Sequence, residues 1–312
     1  MNLRSLSDPL PTLDPIHDGR HQLRDLPLER ESVPYVISLP DLGIGAFVYT
    51  WVSKDSIAGS AYAVFGPGMS APLVEKVDGI AVPREMNFDN WTVGKLTLKH
   101  DLKLERARVI VDGERFGLDA EFTALHPAYA YSFHPDGCPD WAATDRTEQS
   151  GRLKGKLRID GKEHVIDTTC ARDHSWGTRD WNAPQHWKWL HAQAGDVCVH
   201  FWQMQVRGRT PLRGYVSRQG QLSQVVAVDV GFENDDQYRQ TRIVVTVTDS
   251  CGRQLRIEGE YFAILPFQPE SACTLNEGPM RCTVDGVPGV GWTEFMWPTA
   301  YLEYLRGAGA GR

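Results

Sequence analysis

The chain has 312 residues, of which 41% are hydrophobic and 23% charged, so it can form one large domain or two ordinary domains with a sizeable core. The formal net charge of -7 and the absence of Lys- or Arg-rich runs argue against binding to nucleic acid or to anionic membranes. The first nine residues (MNLRSLSDP) lack the apolar core of a signal peptide, and no later stretch is long enough to cross a bilayer, so we expect a cytoplasmic protein without stable membrane insertion.

The first half of the chain begins with an irregular segment and continues as strands. Residues 1–35 are rich in Pro, Asp, Arg and Leu without a sustained period, and we interpret them as an N-terminal arm on the surface. Aromatic and β-branched runs predict strands at 45–52 and 59–65, and strict alternation predicts another at 95–99. The pair Asp112-Gly113 then predicts a hairpin between the strands that flank it.

The second half repeats this pattern. A hairpin is predicted around Asp160-Gly161, and one short helix is predicted at 299–305 after Pro298. Further strands are predicted at 186–193, 197–206, 212–218, 224–231, 241–248, 254–262, 279–285 and 288–297. Closely spaced strands with short turns indicate an all-β protein built from barrels or sandwiches. We expect a β-domain over 36–145 and a second over 146–312.

Tryptophan is the unusual residue of the composition. Five of the ten tryptophans lie between positions 176 and 202, where they alternate with histidines and charged residues: Trp176, Trp181, Trp187, Trp189 and Trp202. A plain core avoids such charges, so this cluster predicts an aromatic-walled cavity. For isolated residues such as Trp51 and Trp91, burial in a core is the simpler interpretation.

The segment CARDHSWGTRDW at 170–181 holds the densest set of reactive side chains. On a strand, alternation would place Arg172, His174 and Trp176 on one face and Asp173 on the other. Such a cluster can be a buried charge network that fixes a corner of the fold. It can equally be a proton donor beside an aromatic wall, and the residues alone leave both interpretations open.

The runs RDHSWG at 172–177 and RDW at 179–181 resemble the signature of the carotenoid 1,2-hydratase, AttH-like and kievitone hydratase-like family of the calycin superfamily. The resemblance implies two antiparallel lipocalin-like β-barrels side by side, with an apolar ligand near their junction. It also implies hydration of isoprenoid or prenyl double bonds, or cyclisation or isomerisation, without a cofactor. In the carotenoid hydratases an acid on the strand after the motif serves in protonation, whereas the matching strand here has no acid after Asp196.

The chemistry of alkene protonation selects the candidate residues. The acid must stay neutral in an apolar pocket, and indole faces must stabilise the developing cation. We expect Asp173, assisted by His174, to be the acid, and Glu294 to be the second candidate, with a salt bridge to an arginine as its alternative role. The predicted substrate-binding residues are Trp176, Trp181, Trp187, Trp189, His200, Trp202 and Gln203.

Two functions from different classes stay open after the sequence analysis. One is a cofactor-free lyase or isomerase (hydratase, dehydratase or cyclase) that acts on an apolar isoprenoid-like or polycyclic small molecule. The other is a non-catalytic carrier of lipids or terpenoids. No metal is expected, because the six cysteines form no Cys-x-x-Cys pair and a separation of five places His186 and His191 on opposite faces of a strand.

Overall fold

The structure, a computed structural model, describes residues 5–6 and 8–309, and most of its regular secondary structure is β-strand. One helix, α1, spans Thr299–Gly309. The strands are β1 (Glu29–Leu39), β2 (Ile44–Ser53), β3 (Ile57–Phe65), β4 (Leu73–Ala81), β5 (Trp91–Val93), β6 (Leu96–His100), β7 (Arg106–Asp112), β8 (Phe116–Ala124), β9 (Tyr129–Ala130), β10 (Asp145–Ile159), β11 (Lys162–Thr178), β12 (Pro184–Ala194), β13 (Val197–Val206), β14 (Leu212–Arg218), β15 (Gln221–Asn234), β16 (Gln240–Asp249), β17 (Gln254–Tyr261), β18 (Leu265–Glu270), β19 (Cys273–Val284) and β20 (Val287–Pro298).

The first eleven strands form one antiparallel sheet in the order β4-β3-β2-β1-β11-β10-β8-β7-β6-β5, with β9 paired to β10. The sheet curls until its ends approach each other, and Ser60 Oγ on β3 donates a hydrogen bond of 2.8 Å to the carbonyl of Val93 on β5. Alternate residues of each strand fill the interior, among them Tyr35, Phe122 and Leu157. This sheet is therefore a nearly closed barrel.

The remaining nine strands form the second barrel, in the order β17-β16-β15-β14-β13-β12-β20-β19-β18. A further pairing of β17 with β19 closes it. The predicted all-β class with two barrels and a short C-terminal helix is confirmed. All six cysteines are free thiols. Within the described residues, no helix is both long and apolar enough to span a bilayer.

The boundary between the two sheets does not fall where the strand pattern placed the domain boundary. The long hairpin of β10 and β11 pairs with β8 and β1, so residues 146–178 belong to the first sheet, and the chain changes sheet at residues 179–183. The predicted arm over 1–35 likewise ends early, because β1 begins at Glu29. Residues 1–4 and 7 of that arm lie outside the described residues. Alternation alone predicts a strand but not the sheet that it joins.

The barrels meet through their outer faces. On β12, Leu190 and Ala192 belong to the core of the second barrel, whereas Trp187 and Trp189 belong to a separate apolar cluster. That cluster also contains Val36 and other outward residues of the first barrel. The tryptophans between positions 187 and 202 therefore lie in the layer between the barrels.

The backbone around Gly177, in the RDHSWG run, leaves no room for a side chain. Its φ of 119° lies in a region unfavourable for side chains, and an added Cβ would lie 2.3 Å from the backbone nitrogen of Thr144. We expect Gly177→Ala to lower the free energy of unfolding by about 3 kcal/mol, through backbone strain and this clash. Gly161→Ala is the control, because Gly161 has φ 82° with open space around it. Equal losses in urea denaturation would contradict the close approach at Gly177.

Candidate functional site

A cavity of about 400 Å³ lies between the barrels, a volume that suits a small organic ligand. One wall is the outer face of the first barrel, where β2, β1, β11 and β10 lie side by side. The opposite wall comes from the second barrel. The lining includes Arg30, Ser32, Phe47, Tyr49, Trp51, Arg146, Asp173, Arg179 and Trp181 on the first side, and Trp189, Trp202, Phe267, Leu275, Glu277 and Glu294 on the second.

Aromatic side chains form much of the cavity surface. Phe47, Tyr49 and Trp51 occupy alternate positions along β2. The Tyr49 ring centroid lies 5.6 Å from that of Phe47 and 5.3 Å from that of Trp51. Because alternate residues of a strand share one face, the three rings form a continuous strip. The predicted ligand residues Trp181, Trp189 and Trp202 also line the cavity. The cavity therefore offers broad ring faces to an apolar ligand.

Asp173 faces this cavity and is tied to a buried arginine. The β10–β11 register places Glu148 directly opposite Asp173. Arg146 bridges the two carboxyls, with Nε 2.6 Å from Glu148 Oε1 and Nη2 2.7 Å from Asp173 Oδ2. Burial opposes ionisation of Glu148, but Arg146 and two neighbouring histidines outweigh it and lower its pKa. At Asp173 burial dominates and, with the negative charge of Glu148, raises the pKa despite Arg146.

A second pair of carboxyls lies on the opposite wall. Glu277 on β19 and Glu294 on β20 face each other in the ladder. Trp292 Nε1 donates to Glu277 Oε2 at 2.6 Å, and Trp187 Nε1 donates to Glu294 Oε1 at 2.7 Å. The indoles thus fix one oxygen of each carboxyl and leave the other available to carry or share a proton. Within the described part of the chain, Glu294 forms no salt bridge to an arginine, which was its expected alternative role.

Glu277 is the more perturbed member of this pair. Its residue is 1% exposed, and burial together with the adjacent Glu294 raises its pKa well above the ordinary value. Among the described residues, Glu277 Oε1 has no hydrogen-bond partner. Since Glu294 offers only acceptors when ionised, Oε1 is satisfied when it carries a proton and donates it to Glu294. Burial and the neighbouring carboxyl therefore favour the protonated form of Glu277.

His174 and Trp176 point away from the cavity, because β11 alternates as its sequence predicted. His174 Nε2 lies 2.7 Å from Glu31 Oε1, and the Trp176 ring stacks on His21 with centroids 3.6 Å apart. Both therefore lie on the face of β11 opposite to Asp173. The expected assistance of Asp173 by His174 has no geometric basis, and Trp176 does not line the cavity.

The other three predicted ligand residues are placed differently from one another. Trp187 lies behind the cavity wall as the donor to Glu294. His200 is fully buried, with Nδ1 donating to the Leu190 carbonyl at 3.0 Å and Nε2 3.0 Å from the Tyr131 hydroxyl. Gln203 follows Trp202 on β13 and so faces the interior side of the second barrel. None of the three lines the cavity.

Two groups of His and Glu among the described residues could in principle hold a metal ion. One consists of His21, Glu31 and His174, and the other of Glu148, His191 and His200. Imidazole and carboxylate suit several transition metals. In the second group, however, the Arg146 guanidinium already neutralises the carboxylate. In the first group Glu31 accepts hydrogen bonds from both imidazoles at 2.7 Å. Both groups are thus complete as hydrogen-bonded networks.

Glu277 was not among the candidate residues predicted from the sequence, because the residues around it resemble a turn. The segment NEGP at 276–279 suggests a turn, so the predicted strand began at 279, whereas β19 begins at Cys273. The alternating run CTLNE at 273–277 is the signal that could have extended that strand. Arg146 lies in a region for which no strand was predicted, although β10 begins at Asp145.

Solved structures of several proteins share this two-barrel fold. An AttH-like protein from Nitrosomonas europaea superposes with a TM-score of 0.69 at 13% identity, covering 92% of this chain and 98% of that chain. Kievitone hydratase from Nectria haematococca gives 0.62 at 12% identity, covering 92% and 94%. CghA with Sch210972 gives 0.63 at 11% identity, covering 87% and 89%. The resemblance inferred from the sequence is confirmed at the level of the fold.

Sequence comparison places the chain in one family. No curated protein matches it in sequence. A family model described as a domain of unknown function, DUF7064, matches residues 14–299 and thus spans all the strands of both barrels. The chain therefore belongs to the DUF7064 family.

Proposed function

We propose that this protein is a lyase or isomerase of the hydratase, dehydratase or cyclase type, which protonates an apolar isoprenoid-like or polycyclic small molecule in the cavity between the barrels. The observation that carries the proposal is the pair Glu277 and Glu294, which lie opposite each other on two strands and line an aromatic cavity, where burial raises the pKa of Glu277. A carboxylic acid kept neutral by burial can donate a proton to a weakly basic double bond.

The cavity also suits the cation that such a proton transfer creates. Protonation of an alkene leaves positive charge on carbon, and the faces of aromatic rings stabilise nearby cations. Trp189 and Trp202 line the same cavity as Glu277, and Tyr49 lies on the facing wall. These groups stabilise the charge without forming a bond to it, so the cation can react further.

The two carboxyls together complete a catalytic cycle. Glu277 transfers its proton to a substrate carbon, and Glu294 accepts a proton either from a neighbouring carbon or from a water molecule that attacks the cation. The first route isomerises or cyclises the substrate, and the second hydrates it. The accepted proton then returns from Glu294 to Glu277, which restores the starting state. Asp173, whose pKa is also raised by burial, is the alternative proton donor.

The structural neighbours add one point of support. A protein with the same fold, kievitone hydratase, is a hydratase by name. At 12% identity its site residues do not transfer to this chain. Proton transfer in this protein is therefore assigned to its own carboxyls.

Isotope labelling tests the proposal directly. The purified protein is incubated with a panel of terpenoid, prenylated and steroid compounds, once in H2-18O and once in D2O, and products are followed by mass spectrometry. Hydration by protonation incorporates oxygen-18 and also deuterium at carbon, whereas isomerisation or cyclisation incorporates deuterium at carbon without oxygen-18. Glu258→Gln, which changes a partly exposed acid on β17 outside the cavity, serves as the control and is expected to turn over normally. A ligand that binds and returns unlabelled would favour the carrier function instead.

A further inference from the structure

Two arginines at one end of the cavity lack an acidic partner. Arg30 and Arg179 both line it, and neither is within 4.0 Å of a carboxylate oxygen in the described part of the chain. Arg30 donates to the Tyr49 hydroxyl at 2.7 Å, and its buried Nε has no hydrogen-bond partner there. Arg179 donates to the Ala142 carbonyl at 2.7 Å. Both positive charges are thus held in place by neutral groups.

Two serine hydroxyls lie beside Arg179 on the same face of the sheet. Ser32 on β1 faces Ser175 on β11, with their hydroxyl oxygens 3.2 Å apart. Arg179 Nη2 donates to Ser175 Oγ at 3.0 Å. Burial and the charges of Arg146 and Arg30 lower the pKa of Arg179, so these like charges repel each other. A bound anion would relieve this repulsion.

The other cationic side chains that line the cavity have carboxylate partners. Arg146 has carboxylate partners at 2.6 and 2.7 Å, and Lys76 lies 3.4 Å from Asp78. Positive charge without a counter-ion is therefore confined to the end formed by Arg30 and Arg179. Such a pair, next to polar hydroxyls, is typical of a site for a carboxylate or another oxyanion.

An apolar strip begins beside these arginines. The Arg30 guanidinium carbon lies 5.6 Å from the Trp51 ring centroid and 5.7 Å from the Tyr49 ring centroid, and the strip continues to Phe47. Phe267 of the second barrel packs 6.3 Å from Phe47 at the far end. Four residues of strand span about 13 Å, which matches an extended prenyl chain or a fused ring system.

We propose that the substrate is an amphipathic carboxylic acid whose carboxylate binds between Arg30 and Arg179 and whose apolar body lies along Phe47, Tyr49 and Trp51. This inference rests on the proposed function, because it assigns the substrate class of the same cavity. The anion would anchor one end of the molecule, so that a double bond in the apolar body reaches Glu277 on the opposite wall. A single charge fits better than a diphosphate, because Asp173, Glu277 and Glu294 line the same cavity and disfavour additional negative charge there.

Matched ligands test the proposal through binding alone. Farnesoic acid and dehydroabietic acid are compared with their methyl esters, and farnesyl diphosphate is included, with affinities measured by calorimetry at neutral pH and low salt. We expect each acid to bind roughly ten- to hundredfold more tightly than its ester, since a charge-assisted hydrogen bond is lost on esterification. Added salt should reduce the preference.

Arg30→Gln is the main variant, because Arg30 is half-buried and holds no backbone carbonyl, and Arg179→Gln is the second. Each should reduce the preference for acid over ester about tenfold, with the ester affinity unchanged. Arg152→Gln is the matched control, since Arg152 lies outside the cavity on β10 and pairs with Asp167.

Each possible result either supports or overturns this assignment. Equal affinities for acid and ester, binding of neither, or an unchanged preference in both arginine variants would overturn it. Tighter binding of the diphosphate would overturn the choice of a carboxylate. These measurements do not involve turnover, so they remain interpretable if Glu277 proves to have no role in proton transfer.

Discussion

Glu277→Gln is expected to lower turnover by roughly 10²–10⁴-fold while substrate affinity stays nearly unchanged, because general acid catalysis commonly contributes that much. Glutamine preserves the shape of the side chain and can still accept the hydrogen bond from Trp292. It cannot release a proton to the substrate. Turnover is measured with the compound that acquires label, and affinity is measured by calorimetry.

Two further variants complete this experiment: the control Glu258→Gln on β17 and the cavity variant Asp173→Asn. If Asp173 were the proton donor instead, Asp173→Asn would cause the larger loss of turnover and Glu277→Gln would cause little. Normal turnover in both variants would refute acid catalysis by these carboxyls. In the unchanged protein, turnover should fall as pH rises through the raised pKa of Glu277, because the ionised form cannot donate.

The same pKa shift affects stability in a direction that can be checked. The pKa of Glu277 is higher in the folded state than the ordinary 4.5, so between these two values the folded chain binds more protons than the unfolded chain. Stability from this group is therefore present at low pH and is lost as pH rises, by at most about 1.4 kcal/mol per pH unit. Since Gln does not ionise, the stability of Glu277→Gln relative to the unchanged protein should increase as pH rises above 4.5 toward the raised pKa of Glu277.

Arg146→Met is expected to lower the free energy of unfolding by about 3–5 kcal/mol, because it leaves two buried carboxyls without their shared cation. Arg146 is 7% exposed and contacts Glu148 and Asp173 at 2.6 and 2.7 Å. Its guanidinium also lies 4.8 Å from the Trp202 ring centroid, so packing is lost as well. Denaturant unfolding followed by tryptophan fluorescence measures the effect.

Arg152→Met provides the matched control on the same strand. Its partner Asp167 is 43% exposed, and exposed pairs contribute about 0–1 kcal/mol. Adding Glu148→Gln to Arg146→Met should recover part of the loss, because it removes the unpaired buried charge. Similar losses for the two arginine variants would contradict the role assigned to Arg146.

The strands and their faces could be predicted from the sequence, because the period of two is a local property. This period predicted that Asp173 lies on one face of the strand and His174 and Trp176 on the other, and the structure shows the same arrangement. Proximity of His174 to Asp173 in sequence suggested cooperation between them, although the same alternation separates them. Trp181, Trp189 and Trp202 line the cavity, and their role in substrate binding stays a prediction.

The partnership of Glu277 with Glu294 could not be predicted in the same way. It depends on the register between β19 and β20, which pairs positions 17 residues apart across a turn. The strand predicted before that turn began only at residue 279, so it did not include Glu277. The placement of the β10–β11 hairpin in the first sheet depends on pairings with β1 and β8, which are far away in sequence. Such long-range choices are decided by packing between faces rather than by local propensity.

The pairing of β1 with β11 has a consequence for the synthesis of the chain on the ribosome. Glu29 lies opposite Thr178, so about 150 further residues must be synthesised after β1 before β11, its second neighbour in the sheet, is present. During that interval its edge carries unpaired backbone groups, which can capture strands of other nascent chains. The second barrel has a shorter delay of about 100 residues, since β12 pairs with β20. Slow, chaperone-assisted maturation is therefore expected, and lower temperature during expression should raise the yield of native protein.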